Sequence, residues 1–297
     1  MLVRIVLACC FAGFFFNLQG QMIDHSTGEL FAEDPTFNVD FIRQNKIKSI
    51  KGNYATKADL DKIRTNRNVY VYEFSQKGQL TKDYKTIIGD TIVRMYEYDD
   101  KGNLLLIRKT DRHGFHSYHY SYDSLDRILS KEYRRDLNKS YNKTTFELGQ
   151  SFIISKQTFG YKETKEGTKK LYYNTSGRIY KTELFYKDEN GYLIKQEARS
   201  MMGSGTDKVE YIYNSSGLLK EKKTTSYLTN NNTTKIKYEY DQYENILAQH
   251  YYRNKVYKTE YQIVYDSETF LLSALLSRDI ETNIITILKF SEYSYYD

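Results

Sequence analysis

Three histidines, His113, His116 and His119, form the one crowd of metal-binding side chains in this 297-residue sequence. In an extended strand, residues three apart point to opposite faces, so only His113 and His119 could share one. Zinc needs three or four converging ligands, and both cysteines, Cys9 and Cys10, lie far away near the N-terminus. The histidines therefore read as part of a solvated hairpin, with no metal. Asp99, Asp123, Asp188, Asp241 and Asp266 recur at hairpin spacing. A calcium loop draws several oxygens from one short segment, so these acids read as turn formers whose side chains bond the local backbone. Paired catalytic carboxylates must converge, and no spacing marks such a pair. No serine stands in a G-x-S-x-G elbow, and Gly203-Ser204-Gly205 lacks the strand–helix setting of a phosphate loop. This chemistry implies neither an enzyme nor a cofactor.

Tyrosine is the residue in excess: 31 of them, against 15 phenylalanines and no tryptophan. A tyrosine offers a flat apolar body with a polar tip, the combination favoured at binding surfaces. Tyr72, Tyr96, Tyr98, Tyr120, Tyr122, Tyr173, Tyr211, Tyr213, Tyr238 and Tyr240 are the candidate binding face. Packing of the same rings into a sheet interior is the competing reading.

The elements that would position them follow from a recurring unit. Tyr96-Glu97-Tyr98-Asp99-Asp100-Lys101-Gly102-Asn103-Leu104 is its clearest copy, and Tyr211 to Leu219 and Leu171 to Ile179 are two more. Tyr72 to Leu80 matches, while Tyr120 to Ile128, Tyr238 to Ile246 and Ile263 to Leu271 keep the frame without the glycine. Aspartate or asparagine favours the first position of a type I turn, and glycine three residues later accepts a left-handed backbone. Each unit is thus a hairpin, with Tyr98 facing Leu104 and Tyr96 facing Leu106. The same frame pairs Tyr213 with Leu219, Tyr173 with Ile179, Phe74 with Leu80, Tyr240 with Ile246 and Tyr265 with Leu271. Where Asp126, Glu244 and Thr269 replace the glycine, a different turn geometry is expected. The fold class is mainly β, an antiparallel meander of tandem β-hairpin repeats forming a large curved sheet of roughly 16 to 20 strands.

Residues 1–20 read as a signal peptide: Arg4, then an apolar run from Ile5 to Phe16, then a polar stretch ending at Gly20. Cleavage is expected before Gln21; the alternative is lipidation of Cys9. The run is too short to span a bilayer, which takes roughly 20 apolar residues, and no later segment is longer. Residues 21–66 read as a short N-terminal cap, with a helix over Thr36 to Gln44, a strand from Lys46 to Lys51 and a capping box at Thr56 to Asp59. Residues 67–297 hold the repeats, closed by a strand from Ile284 to Phe290. The net charge of +6 is spread along the chain, without the clustered positive patch that nucleic acid requires.

Tyr98-Asp99 with Gly102, Tyr122-Asp123 with Asp126-Arg127, Tyr173-Asn174 with Gly177-Arg178 and Tyr213-Asn214 with Gly217 carry a resemblance to the YD repeats of Rhs-like bacterial proteins. The leader and repeats together are similar to small exported proteins of the Bacteroidetes type. That resemblance implies a spiralling β-sheet on a secreted or cell-surface protein. The functional expectation is an extracytoplasmic scaffold or binding module of the cell envelope, with polysaccharide or another envelope protein as partner. A hydrolase of envelope polymers is the alternative.

Overall fold

The computed structural model describes residues 22–24, 36–58, 60–87, 90–111, 113–140, 145–203, 205–227 and 232–297. The leader at 1–20 lies outside them. One short helix, α1 (Val39–Gln44), precedes eighteen strands. These are β1 (Ile47–Lys57), β2 (Arg64–Phe74), β3 (Leu80–Ile87), β4 (Asp90–Tyr98), β5 (Leu104–Asp111) and β6 (Gly114–Tyr122). There follow β7 (Ile128–Asn138), β8 (Leu148–Thr164), β9 (Gly167–Tyr173), β10 (Ile179–Lys187), β11 (Leu193–Ser200) and β12 (Thr206–Tyr213). The last six are β13 (Leu219–Ser226), β14 (Asn232–Tyr240), β15 (Ile246–Arg253), β16 (Val256–Tyr265), β17 (Leu272–Asp279) and β18 (Ile285–Tyr295).

Each strand pairs antiparallel with the next, and β18 returns to pair with β1, Ile50 facing Tyr293 and Ala55 facing Ile287. The expected open curved sheet is thus corrected to a closed eighteen-stranded β-barrel. An open sheet leaves two rows of unpaired backbone groups; here β1, which the sequence places in the cap, is itself a strand of the barrel bonded on both sides. The capping box expected at Thr56 starts no helix, because Thr56 pairs with Thr286 on one side and Arg64 on the other. The helix begins three residues later than expected, where the Asn38 side chain accepts the N–H groups of Asp40 and Phe41.

The recurring turns explain the meander. In the Asp99 turn, the Asp99 carboxylate accepts the N–H groups of Lys101 and Asn103, and Gly102 sits at φ +94°. Asp126 (φ +56°) and Glu244 (φ +68°) adopt the same left-handed conformation, so those turns keep the shared geometry instead of departing from it. Their leading aspartates bond the backbone in the same way. The Asp266 turn holds one residue more, and its left-handed position falls on Phe270 instead of Thr269.

Register follows the expected pairs at the turn and then slips. Tyr98 faces Leu104, Tyr213 faces Leu219, Tyr173 faces Ile179 and Tyr240 faces Ile246. Beyond the turn, Leu105 is an extra residue, so Tyr96 faces Ile107 and Leu106 turns to the opposite face with Glu97. Tyr265 likewise faces Leu272, not Leu271.

One face of the sheet carries the main core. Met22, Ile23, Phe37, Phe41 and Ile42 pack on Ile50, Tyr70, Tyr72, Phe74, Leu219, Tyr238, Ile246, Ile263, Leu272, Leu288 and Phe290. Phe37 stands edge-on to both Tyr72 and Phe74, at 4.9 and 5.0 Å. The described residues 22–24 and 36–44 are therefore seated on this face, called the cap face below. Their helix lies against the β2–β3 turn: a Cβ on Gly78 would come within 2.1 Å of the Val39 carbonyl oxygen.

Two glycines separate turn strain from cap packing. Gly177 (φ +71°) has open space where a Cβ would lie, so Gly177→Ala should cost about 1 kcal/mol from the left-handed backbone alone. Gly78→Ala adds the clash with α1 and should cost distinctly more. Equal shifts in urea midpoint for the two variants would contradict the seating of the cap.

Candidate functional site

The barrel's hairpins are joined by a repeated tyrosine contact. Ladders between neighbouring hairpins stop two residues short of the turn: β3–β4 begins at Lys82–Met95, leaving the Leu80 carbonyl beyond it. Tyr98 donates its hydroxyl to that carbonyl at 2.9 Å. The same bond runs from Tyr122 to Leu104, Tyr161 to Ile128, Tyr213 to Leu193, Tyr240 to Leu219 and Tyr293 to Leu272. A phenylalanine would fill the space but leave the carbonyl without its donor. Burial pushes the Tyr98 hydroxyl up to about 12 and raises that of Tyr240 as well. Tyr265 stands at the equivalent place on β16, next to the start of β15, yet its buried hydroxyl has no partner among the described residues.

The ten candidate tyrosines divide accordingly. Tyr72 is 1% exposed and stacked on Tyr70 under the cap, and Tyr238 is buried in the same core. Tyr98, Tyr122, Tyr213 and Tyr240 serve the hairpin contact just described. Tyr96 donates to Asp83 at 2.7 Å. Tyr120, Tyr173 and Tyr211 are half-buried; Tyr120 lies 5.8 Å from the Lys131 ammonium and Tyr211 5.9 Å from that of Lys222. Tyr173 lies against Gly160.

Buried charge is confined to neutralised groups. On the cap face, Arg94 reaches both Asp83 oxygens at 2.9 and 3.0 Å and also donates to Tyr70. Burial pushes the Asp83 carboxyl up, to about 7, while hydroxyls of Tyr96 and Tyr70 draw it back. On the opposite face, Asp136 is held by Arg108 at 2.9 Å and Ser151 at 2.6 Å, with Phe146 lying 4.1 Å over the Arg108 guanidinium. Glu183 accepts from Tyr172 at 2.5 Å and from Lys181 at 2.6 Å. The histidines do not converge. His116 lies on the cap face beside Asp111 and the rings of Tyr118 and Tyr133, whereas His119 bonds Ser117 on the opposite face.

Away from the cap, a strip of rings and ammonium groups runs along the cap face of β6 to β10. Pairing aligns Tyr118 with Tyr133, Tyr120 with Lys131, Lys131 with Gln157, Phe159 with Tyr172 and Tyr161 with Lys170. Lys131 Nζ lies 4.4 Å from the Tyr118 ring centre. Lys170 Nζ lies 4.2 Å from Phe159 and 5.1 Å from Tyr172, and Lys181 Nζ 4.7 Å from Tyr172. Phe159 is buried beneath them, while Tyr118, Tyr133, Tyr161 and Tyr172 keep part of their surface open. Burial lowers the pKa of Lys131, and nearby Lys109 lowers it further. Strand alternation makes this strip: Glu132 neighbours Lys131 in sequence but faces away, to Arg134 and Lys156.

The opposite face of β11 to β17 is a lattice of charges. Lys195 pairs with Glu197, Lys208 and Lys223 with Glu210, Lys235 with Glu221, and Arg278 with Glu260. Among these, Lys223 and Arg278 are each 46% exposed at the side chain.

No family model matches the chain, and no curated protein matches it. Among solved structures, a porin-like protein from Bacteroides uniformis is similar at 12% identity, covering 83% of this chain and 96% of that one with a TM-score of 0.34. A porin-like protein from Bacteroides vulgatus is similar at 11% identity, covering 80% and 97%, with a TM-score of 0.32. These are loose likenesses of shape. The resemblance to YD-repeat, Rhs-like proteins is overturned: the recurring turns close a barrel instead of building a spiral. The tyrosine–aspartate turn is a local hairpin solution.

The tyrosine contacts carry their own test. Tyr98→Phe and Tyr240→Phe should each lower stability by about 1 kcal/mol, the usual net value of a hydrogen bond. Tyr265→Phe, which removes a hydroxyl bonded to no protein group, should be neutral or stabilising. Thermal melts in which all three behave alike would refute the contact's role.

Proposed function

We propose that this barrel is an extracytoplasmic binding module that holds polysaccharide against the tyrosine-rich part of its cap face. One observation carries the reading: between β6 and β10 the described residues of the N-terminal segment do not join the core on the cap face, and Tyr118, Tyr133, Tyr161 and Tyr172 lie there on neighbouring strands, each only partly buried. Flat rings in a row suit the flat apolar faces of sugar units, while tyrosine hydroxyls meet their polar rims.

Two features support a role in water and without catalysis. A barrel set in lipid turns an apolar band about 25 Å tall outward, whereas β11 to β17 carry lysine–glutamate pairs on one face and turn their buried apolar residues, Leu219, Ile246, Ile263 and Leu272 among them, to the cap on the other. A hydrolase needs a carboxyl group free to give or take a proton. Asp83, Asp136 and Glu183, the buried acids among the described residues, are each bonded by a cation.

Affinity electrophoresis of the chain beginning at Gln21 against a panel of envelope polysaccharides checks the reading. At least one polysaccharide should retard the protein, and Tyr118→Ala with Tyr133→Ala should weaken that retention several-fold with only a small change in melting. Tyr72→Ala, under the cap, should instead cost roughly 3–5 kcal/mol of stability. Retention indifferent to Tyr118 and Tyr133, or no retention by any polysaccharide, would refute it.

A further inference from the structure

The charges around the open rings narrow the ligand. Lys109, Lys131, Lys170 and Lys181 all lie on the cap face of β5, β7, β9 and β10. Glu183 faces Lys170 in register and is engaged by Lys181 and the Tyr172 hydroxyl. Lys131 and Lys170 rest on aromatic rings, at 4.4 and 4.2 Å. Such a contact offsets part of the cost of removing an ammonium from water but does not cancel its charge. In the lattice across β11 to β17, Lys195, Lys208 and Lys235 each pair with a glutamate. On the strip the lysines gather on one face: burial lowers the pKa of Lys131 and Lys109 lowers it further, while burial lowers that of Lys170, Glu183 opposes the shift, and Lys181 and Lys131 add to it. A bound anion would bring opposite charge to ammonium groups that rest on rings.

Resting on the polysaccharide reading above, we propose that the strip takes an acidic polysaccharide, its sugar faces on Tyr118, Tyr133, Tyr161 and Tyr172 and its carboxylate or sulfate groups at Lys131 and Lys170. Charge complementarity selects this occupant over a neutral glycan, because a neutral chain would cover the lysines without neutralising them. Covering a charge without a partner costs free energy.

The test compares polygalacturonate, dextran sulfate and neutral dextran in affinity electrophoresis with the chain beginning at Gln21. The acidic polymers should retard the protein and dextran should not. Raising sodium chloride from about 50 mM to about 500 mM should weaken retention at least tenfold, since the screening length falls below the spacing of the charges. Lys131→Gln combined with Lys170→Gln should do the same without lowering the melting temperature. The salt series on the unmodified protein decides the matter even if that double variant folds poorly. Equal retention by dextran, insensitive to salt, would overturn the acidic ligand while leaving polysaccharide binding intact. Retention by none of the three, with retention by some other neutral glycan, would do likewise; retention by no polysaccharide at all would overturn both.

Discussion

A sheet that stops leaves a row of backbone N–H and C=O groups without partners, and long strands make that row dangerous because a second chain can pair with it. In this barrel, β1 and β18 remove both rows at once by pairing with each other along most of their length. Closure then dictates the rest. It gives the sheet one continuous cap face on which Met22, Phe37 and α1 can seat, and it lets charged pairs occupy the opposite face of β11 to β17. It also fixes which residues can meet, because a face is preserved from strand to strand all the way round the ring.

Closure alone does not hold neighbouring hairpins together at the turn end, where the ladders stop two residues early. The tyrosine hydroxyls do this at six junctions, though not at the one where Tyr265 stands, each donating to a carbonyl that lies beyond the ladder. The excess of tyrosine over phenylalanine has a structural origin here. A ring supplies packing against the aliphatic residue after the turn, and the hydroxyl supplies the missing donor. The rings proposed above for recognition lie on β6 to β9, and one of them, Tyr161, also makes the hairpin contact.

The local geometry was legible in the residues because it is local. Asp99 and Gly102 are three positions apart, and the side-chain bonds and left-handed backbone they imply need no distant partner. Closure was not legible: Ile50 meets Tyr293 across more than two hundred residues, and no feature of either strand names the other. The slip of Tyr96 from Leu106 to Ile107 was hidden because Leu105 is as apolar as its neighbours, so the pattern does not mark the extra residue. The lysine strip was hidden for a different reason. Glu132 follows Lys131 directly and reads as its partner, but alternation sends the two to opposite faces. The sum of charges along the chain therefore looks balanced where the cap face is not. Parity counted from each turn would have separated them.

Closure can be measured directly. Ser49 and Ser294 face each other across β1 and β18 with their hydroxyl oxygens 2.6 Å apart. In the chain beginning at Gln21, which has no other cysteine, Ser49→Cys with Ser294→Cys places two thiols at cross-strand distance. Under mild oxidation of dilute protein, a closed barrel should form the disulfide within one chain, yielding a monomer that migrates faster on non-reducing electrophoresis and melts at a higher temperature. Free thiols that persist, or disulfides found only between chains, would contradict the closed barrel.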